Sequence, residues 1–398
     1  MTSSHRPHLE RPDWDTARHE AFLAAAALPA VAVPLSAAIG RTAASDIVAR
    51  CEVPHYPSSA MDGWAVSGAA PWRLVSSDSL AHGEARPIVT GGLVPEGTDG
   101  ILRSEHGTVT DDGALLDRND RARNDEPTDR ENVRPAGEEV AMSDTVVRAG
   151  TALNPAHIAV AAVCGHDELL VLPTPAVGLV LTGNEVVEHG IPAAGHVRDT
   201  FGPQLPACVA MLGGEVTSST RLPDELGLLV AAIERLSDVQ VIITTGGTGT
   251  SDVDHLHAAL QQLEARILIG GVAMRPGGPS LLAVLPDGRF VVGLPGNPLA
   301  AMMGVLTLVR PLLAGLAGGM EPTLGTVVTA SGLRGRSGLS RLLPYQLQDG
   351  VAQTSQWFGS GMLRGLAEAD GVLVAPGAGA AAGETVPVLP LPWHPIPR

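Results

Sequence analysis

The chain has 398 residues and a net charge of −16, from 26 basic and 42 acidic side chains. This length suits two to four domains, and the acidic balance argues against a nucleic-acid-binding protein, which needs a basic surface to replace phosphate counterions. An anionic small ligand is still possible, because backbone amides or a metal can hold phosphate in an acidic protein. Three scattered cysteines without a Cys-x-x-Cys pair predict neither a zinc site nor a disulfide framework, and they fit a reducing cytoplasm.

Residues 21–40 carry no charge, so they must be considered as a membrane span. Two prolines interrupt the stretch, it is mostly alanine, and the residues before it carry charges of both signs, unlike a signal peptide. We therefore expect no membrane association. A helix to about Leu28, capped by Asp15 or Thr16 and ended by Pro29, followed by an extended linker, is the better interpretation.

The next region is rich in turns. Residues 88–105 suggest a strand, a turn and a second strand. The run 117–134 is almost purely polar and alternates in charge, which favours a solvated loop. Residues 155–165 predict a short helix that stops at a glycine.

From about Pro173 strands and helices alternate, which predicts right-handed βαβ units and a mostly parallel sheet. Buried strands are expected at 176–183 and 239–247, further strands at 215–222 and 290–295, and helices at 202–214, 223–236, 252–263 and 299–313. Ligands of such sheets bind at the carboxyl ends of the strands. After about Gly319 short β-like runs separated by glycine and proline suggest a small β domain of about 80 residues.

A glycine-rich segment after one of these strands is the strongest chemical signal. It comprises Gly246, Gly247, Gly249, Ser251, Asp252 and Asp254. Glycines there let backbone N–H groups approach a phosphate or a pterin. The two aspartates suit such a ligand if a divalent cation lies between them and a phosphate, whereas Ser251 or Asp252 could also be a simple helix cap.

Two further segments follow strand ends. In the first, Thr182, Gly183 and Asn184 precede Glu185, which could join Asp252 and Asp254 as a metal ligand or simply favour a first helical turn. The second is a rigid turn before a helix, formed by Pro295, Gly296, Asn297 and Pro298.

Two other features are weaker. Arg275 lies near two glycines and could contact an anion or be an ordinary exposed side chain. Asp62–Gly63 is a turn signal preceded by small residues, a pattern that is more often structural than functional.

Taken together, these motifs resemble those of the molybdopterin molybdenumtransferases, which include the gephyrin E domain. The resemblance covers about residue 15 to 398 and is carried by SSAMDGWAV (58–66), TGGLVPEGTDGILRSE (90–105), VRPAGEEV (133–140), TGNEVV (182–187), TTGGTGTSDVD (244–254), MRPGGP (274–279) and LPGNPLAAM (294–302).

The resemblance implies a multidomain α/β plus β fold and a homodimer. It implies a linker domain at 1–45 and 135–172, an inserted β domain at 46–134 that carries the SAMDG motif, a molybdopterin-binding α/β domain at 173–318 and a C-terminal β-barrel at 319–398. The implied enzyme is a cytoplasmic transferase of molybdenum cofactor biosynthesis. It would insert molybdate into adenylylated molybdopterin and release AMP with a divalent cation, usually Mg²⁺.

The resemblance also implies roles for individual residues. Asp62 would face the site from the partner subunit, with Thr90 near it. Glu185 and Asp254 would be the leading catalytic or metal-binding carboxylates, with Asp252 beside them, and Asp224 matches an acid at a helix start. The substrate-binding set would be Thr182, Gly183, Gly246, Gly247, Ser251, Arg275, Pro295, Gly296, Asn297 and Pro298.

The chain departs from the family pattern at several of these positions. Asn184 stands where an aspartate is usual, Arg275 and Gly278 stand where lysines are usual, and Asp199 is followed by Thr200 and Phe201 instead of Ser-Asn. Arginine keeps the positive charge with a different, planar geometry. These changes leave a second hypothesis, a non-catalytic molybdopterin-binding or scaffold relative. A third, an enzyme that adenylylates molybdopterin or acts on another nucleotide, is disfavoured by the SAMDG region and the C-terminal β segment.

Overall fold

A computed structural model describes residues 11–246 and 255–394. The chain forms two compact units. One comprises Ala30–Val171, and the other is formed by the chain before and after that stretch. The predicted site residues Gly247, Ser251, Asp252 and Asp254 lie outside the described residues, as does Gly249.

Helix α1 (Trp14–Ala24) begins earlier than expected from a cap at Asp15 or Thr16. Its cap is Asp13, not Asp15 or Thr16, because the Asp13 carboxylate accepts hydrogen bonds from the Thr16 N–H at 3.0 Å and the Thr16 hydroxyl at 2.6 Å. The helix ends at Ala24, before the expected Leu28. Its buried face, which includes Trp14, packs into the core of the unit that contains the α/β sheet.

The unit formed by Ala30–Val171 is mostly β structure. Its elements are β1 (Val31–Pro34), α2 (Leu35–Ala38), β2 (Thr42–Ala43), β3 (Ile47–Val48), β4 (Ser58–Ser59), β5 (Gly63–Ser67), β6 (Trp72–Leu74), β7 (Glu84–Ile88), β8 (Gly100–Arg103), β9 (Gly107–Val109), β10 (Leu115–Arg118), β11 (Val133–Arg134), β12 (Thr145–Val147), α3 (Pro155–Val163) and β13 (Glu168–Leu172). A 3₁₀ turn covers Ser104–His106. Six strands form one sheet in the order β8-β5-β7-β6-β10-β9, and β1-β13-β2 form a smaller one.

Two expectations for this unit can be checked. The short helix α3 is confirmed, and Gly165 just after it has a φ of 88°, the left-handed conformation typical of a helix end. The polar run 117–134 was predicted to be a solvated loop; its two ends belong to β10 and β11, and most of the residues between them are exposed or half-buried. Glu126 is 1% exposed and pairs with His106 at 2.6 Å, because a buried carboxylate needs a partner.

The α/β sheet lies in the other unit. Its elements are β14 (Ala176–Thr182), β15 (Val186–Val187), β16 (Val197–Arg198), α4 (Phe201–Met211), β17 (Glu215–Leu222), α5 (Leu226–Arg235), β18 (Val241–Thr245), α6 (His255–Gln262), β19 (Arg266–Ile269), β20 (Met274–Arg275), β21 (Leu281–Val284), β22 (Phe290–Leu294), α7 (Pro298–Gly304) and α8 (Arg310–Leu316). The sheet order is β17-β14-β18-β22-β21-β19, in which the first four strands run parallel. This confirms the mostly parallel sheet, and adds β21, which runs antiparallel to both of its neighbours.

A π-helical turn, Val305–Val309, joins α7 and α8 into one continuous helix. Of the helices in the described ranges, this one alone is long and apolar enough to cross a membrane, and 89% of its apolar window is buried inside the fold. Its surroundings are therefore those of a core helix. The uncharged stretch 21–40 does not form one helix, since it contains the end of α1, strand β1 and the short helix α2.

The C-terminal region is a closed five-stranded barrel. Its elements are β23 (Gly325–Thr329), β24 (Ser340–Gln348), β25 (Val351–Thr354), α9 (Arg364–Ala367), β26 (Gly371–Ala375) and β27 (Thr385–Pro390). The strand order is β24-β25-β23-β27-β26, and pairing of β24 with β26 closes the ring. The expected small β domain is thus confirmed, and β20 of the α/β region pairs with β24 at its edge.

Candidate functional site

The loops predicted to carry chemistry meet at one edge of the α/β sheet. Leu181 on β14 pairs with Arg221 on β17 and with Thr245 on β18, and Thr245 pairs with Leu294 on β22. Because these four strands are parallel and in register, their carboxyl ends lie at the same edge. The segments that follow them are 183–185, 223–225, Gly246 onward and 295–298.

Gly246 lies where three of these strand ends approach one another. Its φ is +83°, and a Cβ there would lie 2.9 Å from the Thr182 hydroxyl oxygen. That hydroxyl donates to the Thr245 carbonyl at 2.8 Å, and the Gly246 N–H donates to the Leu294 carbonyl at 2.9 Å. A Cβ on Gly296 would lie 3.8 Å from the Gly246 Cα. Glycine is therefore required at 246, and it brings three strand ends within contact distance of one another.

A small crevice of about 10 Å³ lies beside this contact. It is lined by Thr182, Pro223, Asp224, Glu225, Leu229, Thr244, Gly246, His255 and Leu256. The Thr244 hydroxyl is buried and has no hydrogen-bond partner among the residues that the structure describes. A buried hydroxyl without a partner is costly, so a polar ligand at this point would be favoured.

Several residues of this crevice were missed by sequence reasoning. Motif reasoning singled out Thr182 and Gly246, and the resemblance indicated Asp224, but Glu225 and His255 were not considered. The available signal was the end of β17, since the strand-end rule applies to it as well as to its neighbours. Helix α5 was also expected to begin with Pro223 and the acids, whereas it begins at Leu226, so Asp224 and Glu225 belong to the loop.

Asn184 and Asp224 tie two of the loops together. The Asn184 N–H donates to an Asp224 carboxylate oxygen at 2.9 Å, and the Asp224 N–H donates to the Asn184 side-chain oxygen at 3.2 Å. Asn184, which departs from the family pattern, thus acts as a hydrogen-bond acceptor between β14 and β17.

Glu185 lies beside this pair with its side chain exposed. Its Oε2 is 3.2 Å from the Cβ position of Gly183, whose φ of +134° lies in the region that glycine favours. Among the described residues no group of three or more His, Cys, Asp or Glu side chains could hold a metal ion. The predicted metal ligands Asp252 and Asp254 lie outside that part of the chain.

The remaining predicted residues of this edge lie on two turns. Asn297 occupies the N-cap position of α7 without a side-chain capping hydrogen bond, and Pro298 occupies the first turn as predicted. Pro295 is buried and Gly296 exposed. Arg275 is exposed on the loop 270–280, which emerges at the same edge because β21 runs antiparallel to β22 with Leu281 opposite Gly293.

Asp62 and Thr90 form a separate cluster in the Ala30–Val171 unit. The Thr90 N–H and hydroxyl both donate to one Asp62 carboxylate oxygen, at 2.7 Å and 2.9 Å. These two hydrogen bonds hold the pKa of the exposed Asp62 carboxyl below its ordinary value. The bond from the backbone N–H has the larger effect on this pKa. The two residues, 28 positions apart in sequence, are thus brought together as an ionised, oriented carboxylate.

Asp199 is a buried carboxylate that connects the start of α4 with β17 near this edge of the sheet. One oxygen accepts from the Phe201 and Gly202 N–H groups at the start of α4, and the other lies 2.6 Å from the Arg221 guanidinium. Burial raises the pKa of Asp199, but the hydrogen bonds from Gly202 and Arg221 outweigh it, so the pKa lies below its ordinary value. The carboxylate therefore joins α4 to β17 in its charged form.

Comparison with known proteins now gives the family. Three family profiles match: the MoeA N-terminal region (domain I and II) over residues 14–165, a probable molybdopterin binding domain over 178–315, and the MoeA C-terminal region (domain IV) over 326–391. The molybdopterin molybdenumtransferase of Staphylococcus aureus (strain MSSA476) is 30% identical over 314 residues, which are 74% of this chain and 73% of that protein. The chain belongs to the molybdopterin molybdenumtransferase family.

Further relatives agree with this assignment. The molybdopterin molybdenumtransferase of Haemophilus influenzae is 31% identical over 299 residues, covering 71% of this chain and 72% of that protein. The crystal structure of a molybdopterin biosynthesis MoeA protein from Pyrococcus horikosii has a TM-score of 0.77 at 24% identity and covers 96% of this chain and 99% of its own, which shows the same fold. The chain is therefore an enzyme of molybdenum cofactor biosynthesis with the multidomain architecture of this family.

Proposed function

We propose that this enzyme inserts molybdate into adenylylated molybdopterin and releases AMP. The observation that carries the proposal is the junction of Gly246, Thr182 and Gly296 at the carboxyl edge of the parallel sheet. Glycine at 246 and 296 leaves this edge without side chains, so a flat, anionic ligand can approach the backbone closely there. The adjoining crevice provides hydroxyl and carboxylate groups for orientation.

A divalent cation, taken to be Mg²⁺, would be held by Glu185, Asp252 and Asp254. The described part of this set fits: Glu185 is exposed at the correct edge, and carboxylate oxygens are the donors that Mg²⁺ prefers. When bound, the cation would offset the negative charge of the phosphates. The protein's own residues would position the pterin, orient the phosphates and exclude bulk water from the site.

We further propose that the enzyme is a cytoplasmic homodimer and that Asp62 acts on the substrate from the second subunit. The homodimer and the cytoplasmic location rest on the family resemblance. The role of Asp62 is supported by its pair with Thr90, in which two donors keep an exposed carboxylate ionised and in one orientation. The family resemblance extends the proposed site to further residues and adds Arg275 as an anion contact. These residues are Gly183, Gly247, Ser251, Pro295, Asn297 and Pro298. The domain boundaries near residues 45, 135, 173 and 319 remain part of this proposal.

The test is single-turnover conversion of adenylylated molybdopterin by the purified protein with molybdate and Mg²⁺. We expect molybdate-dependent AMP release that is lost in Glu185→Ala and Asp254→Ala. Glu188→Ala serves as the control, because Glu188 is an exposed carboxylate three residues away that is not assigned to the site. Tight binding of the adenylate without AMP release would instead identify a non-catalytic scaffold.

A further inference from the structure

Gly278 lies on the loop between β20 and β21. A side chain from another segment of the chain lies beside it. The φ of Gly278 lies outside the left-handed region, so a side chain at this position is not opposed by backbone conformation. A Cβ at this position would lie 3.1 Å from the Arg11 Nη2 atom, and otherwise near the carbonyl oxygens of Met274 at 3.1 Å and Val272 at 3.5 Å. One terminal nitrogen of the Arg11 guanidinium therefore lies against the point from which a side chain at 278 would project.

Arg11 is held there by its own segment. Its Nε donates to the Val272 carbonyl at 3.4 Å, and the Ala273 N–H donates to the Pro12 carbonyl at 2.8 Å. Asp13 continues the pairing as a parallel bridge to Ala273 and then caps α1. The backbone of segment 11–13 is thus paired with the loop and leads directly into α1, whose buried face packs in the core.

The loop lies at the same edge of the sheet as the proposed site. It leaves the sheet at the carboxyl end of β22, and a Cβ on Gly277 would lie 3.0 Å from the Ala300 carbonyl in α7. Arg275 is exposed at the end of β20, where this loop begins. A guanidinium has five N–H donors, and among the described residues Arg11 uses Nε alone, so its two terminal nitrogens can bind an oxyanion.

We infer that Arg11 is a substrate-binding residue, supplying with Arg275 a cationic contact for an oxyanion, either a phosphate of the adenylylated pterin or molybdate. This inference rests on the proposed function, since it assigns a further residue to the same site. It also explains how the chain can lack a side chain at 278: a cation from residue 11 lies against the point from which a lysine would otherwise project.

The inference predicts that cations at 11 and 278 exclude and replace each other. Arg11→Met, which keeps the length of the side chain but removes its charge, should weaken binding of adenylylated molybdopterin, or raise the KM for molybdate, roughly tenfold or more. Gly278→Lys alone should bring no gain, because its side chain meets the guanidinium. In the Arg11→Met background Gly278→Lys should recover the affinity to within about threefold of wild type.

The experiment measures the dissociation constant of the adenylate by titration, and separately the molybdate dependence of AMP release. A change in the first identifies phosphate as the oxyanion, and a change in the second identifies molybdate. Arg235→Met is the matched control, since Arg235 is an exposed arginine in the last turn of α5, at the opposite end of that helix from the crevice. Unfolding curves of each variant exclude loss of fold as the cause.

Several outcomes would overturn the inference. Arg11→Met with wild-type affinity and wild-type molybdate dependence would overturn it and leave the proposed function standing. Equal loss in Arg11→Met and in Arg11→Met/Gly278→Lys would show that the arginine acts through packing and not through charge. Wild-type protein that neither binds the adenylate nor releases AMP would refute the proposed function, and the inference with it.

Discussion

Replacement of Gly246 by alanine tests whether close backbone approach builds the site. An alanine held at a φ near +83° costs about 1–2 kcal/mol, because its Cβ crowds the backbone in the left-handed region. The Cβ would also lie 2.9 Å from the Thr182 hydroxyl oxygen, so that hydroxyl must move and give up its bond to Thr245, worth about 1 kcal/mol. The free energy of unfolding should therefore fall by about 2–3 kcal/mol.

Gly213→Ala is the matched control, since Gly213 has the same φ of +83° and open space around its Cβ position. It should cost only the backbone part, about 1–2 kcal/mol. In a Thr182→Ala background the cost of Gly246→Ala should fall to that of the control. The free energies are measured by urea unfolding, and single-turnover AMP release should slow about tenfold in Gly246→Ala but not in Gly213→Ala. Equal losses of stability in the two glycine variants would refute the steric argument.

Two other predictions concern carboxylates. Asp199→Ala should lower the free energy of unfolding by about 3 kcal/mol at neutral pH, since it removes a helix cap and leaves Arg221 without its close partner. Because the pKa of Asp199 is lowered in the folded protein, its contribution is present above its ordinary value near 4 and is lost as the pH falls through the folded pKa. The difference from wild type, measured by unfolding as a function of pH, should therefore shrink in acid, and a difference that grew there would contradict the assignment. Thr90→Val should raise the pKa of Asp62 partway toward its ordinary value, since it removes the hydroxyl donor and keeps the N–H. Thr90→Ser keeps both donors and should leave this pKa low. ¹³C NMR titration of the carboxyl measures both values, and an unchanged pKa in the valine variant would show that the hydroxyl contributes nothing.

Continuous apolar runs made the central strands predictable. Strands β14, β18 and β22 are buried on both faces, so they appear in the sequence as uninterrupted hydrophobic segments that end at glycine or proline. Strand β24 was not predicted, because Pro344 lies inside it and its second half is exposed and polar. Strands β19 and β21 have only four residues each, too few to show a period.

The candidate site divides in the same way. Its strand-end loops could be predicted, because the edge at which they meet follows from a parallel sheet and a repeating βα order. The side formed by Pro223–Glu225 was assigned to a helix, since proline and acids are typical of a first turn, although α5 has no side-chain cap and starts at Leu226. The approach of Arg11 to Gly278 depends on tertiary packing of the N-terminal segment, which no local pattern records.

That approach bears on how an acidic enzyme binds an anionic substrate. The carboxyl edge of the sheet is furnished with glycines, hydroxyls and carboxylates, none of which carries positive charge, and the whole chain has a net charge of −16. Backbone N–H groups can hold phosphate at such an edge, but they cannot neutralise it. Cations must then come from the loops that surround the sheet, and the loop 270–280 provides Arg275 from within and holds Arg11 from outside. The second cation, Arg11, belongs to another segment, so its contribution to substrate binding depends on the pairing of residues 12 and 13 with Ala273. Substrate affinity and the docking of the N-terminal segment are therefore expected to be lost together.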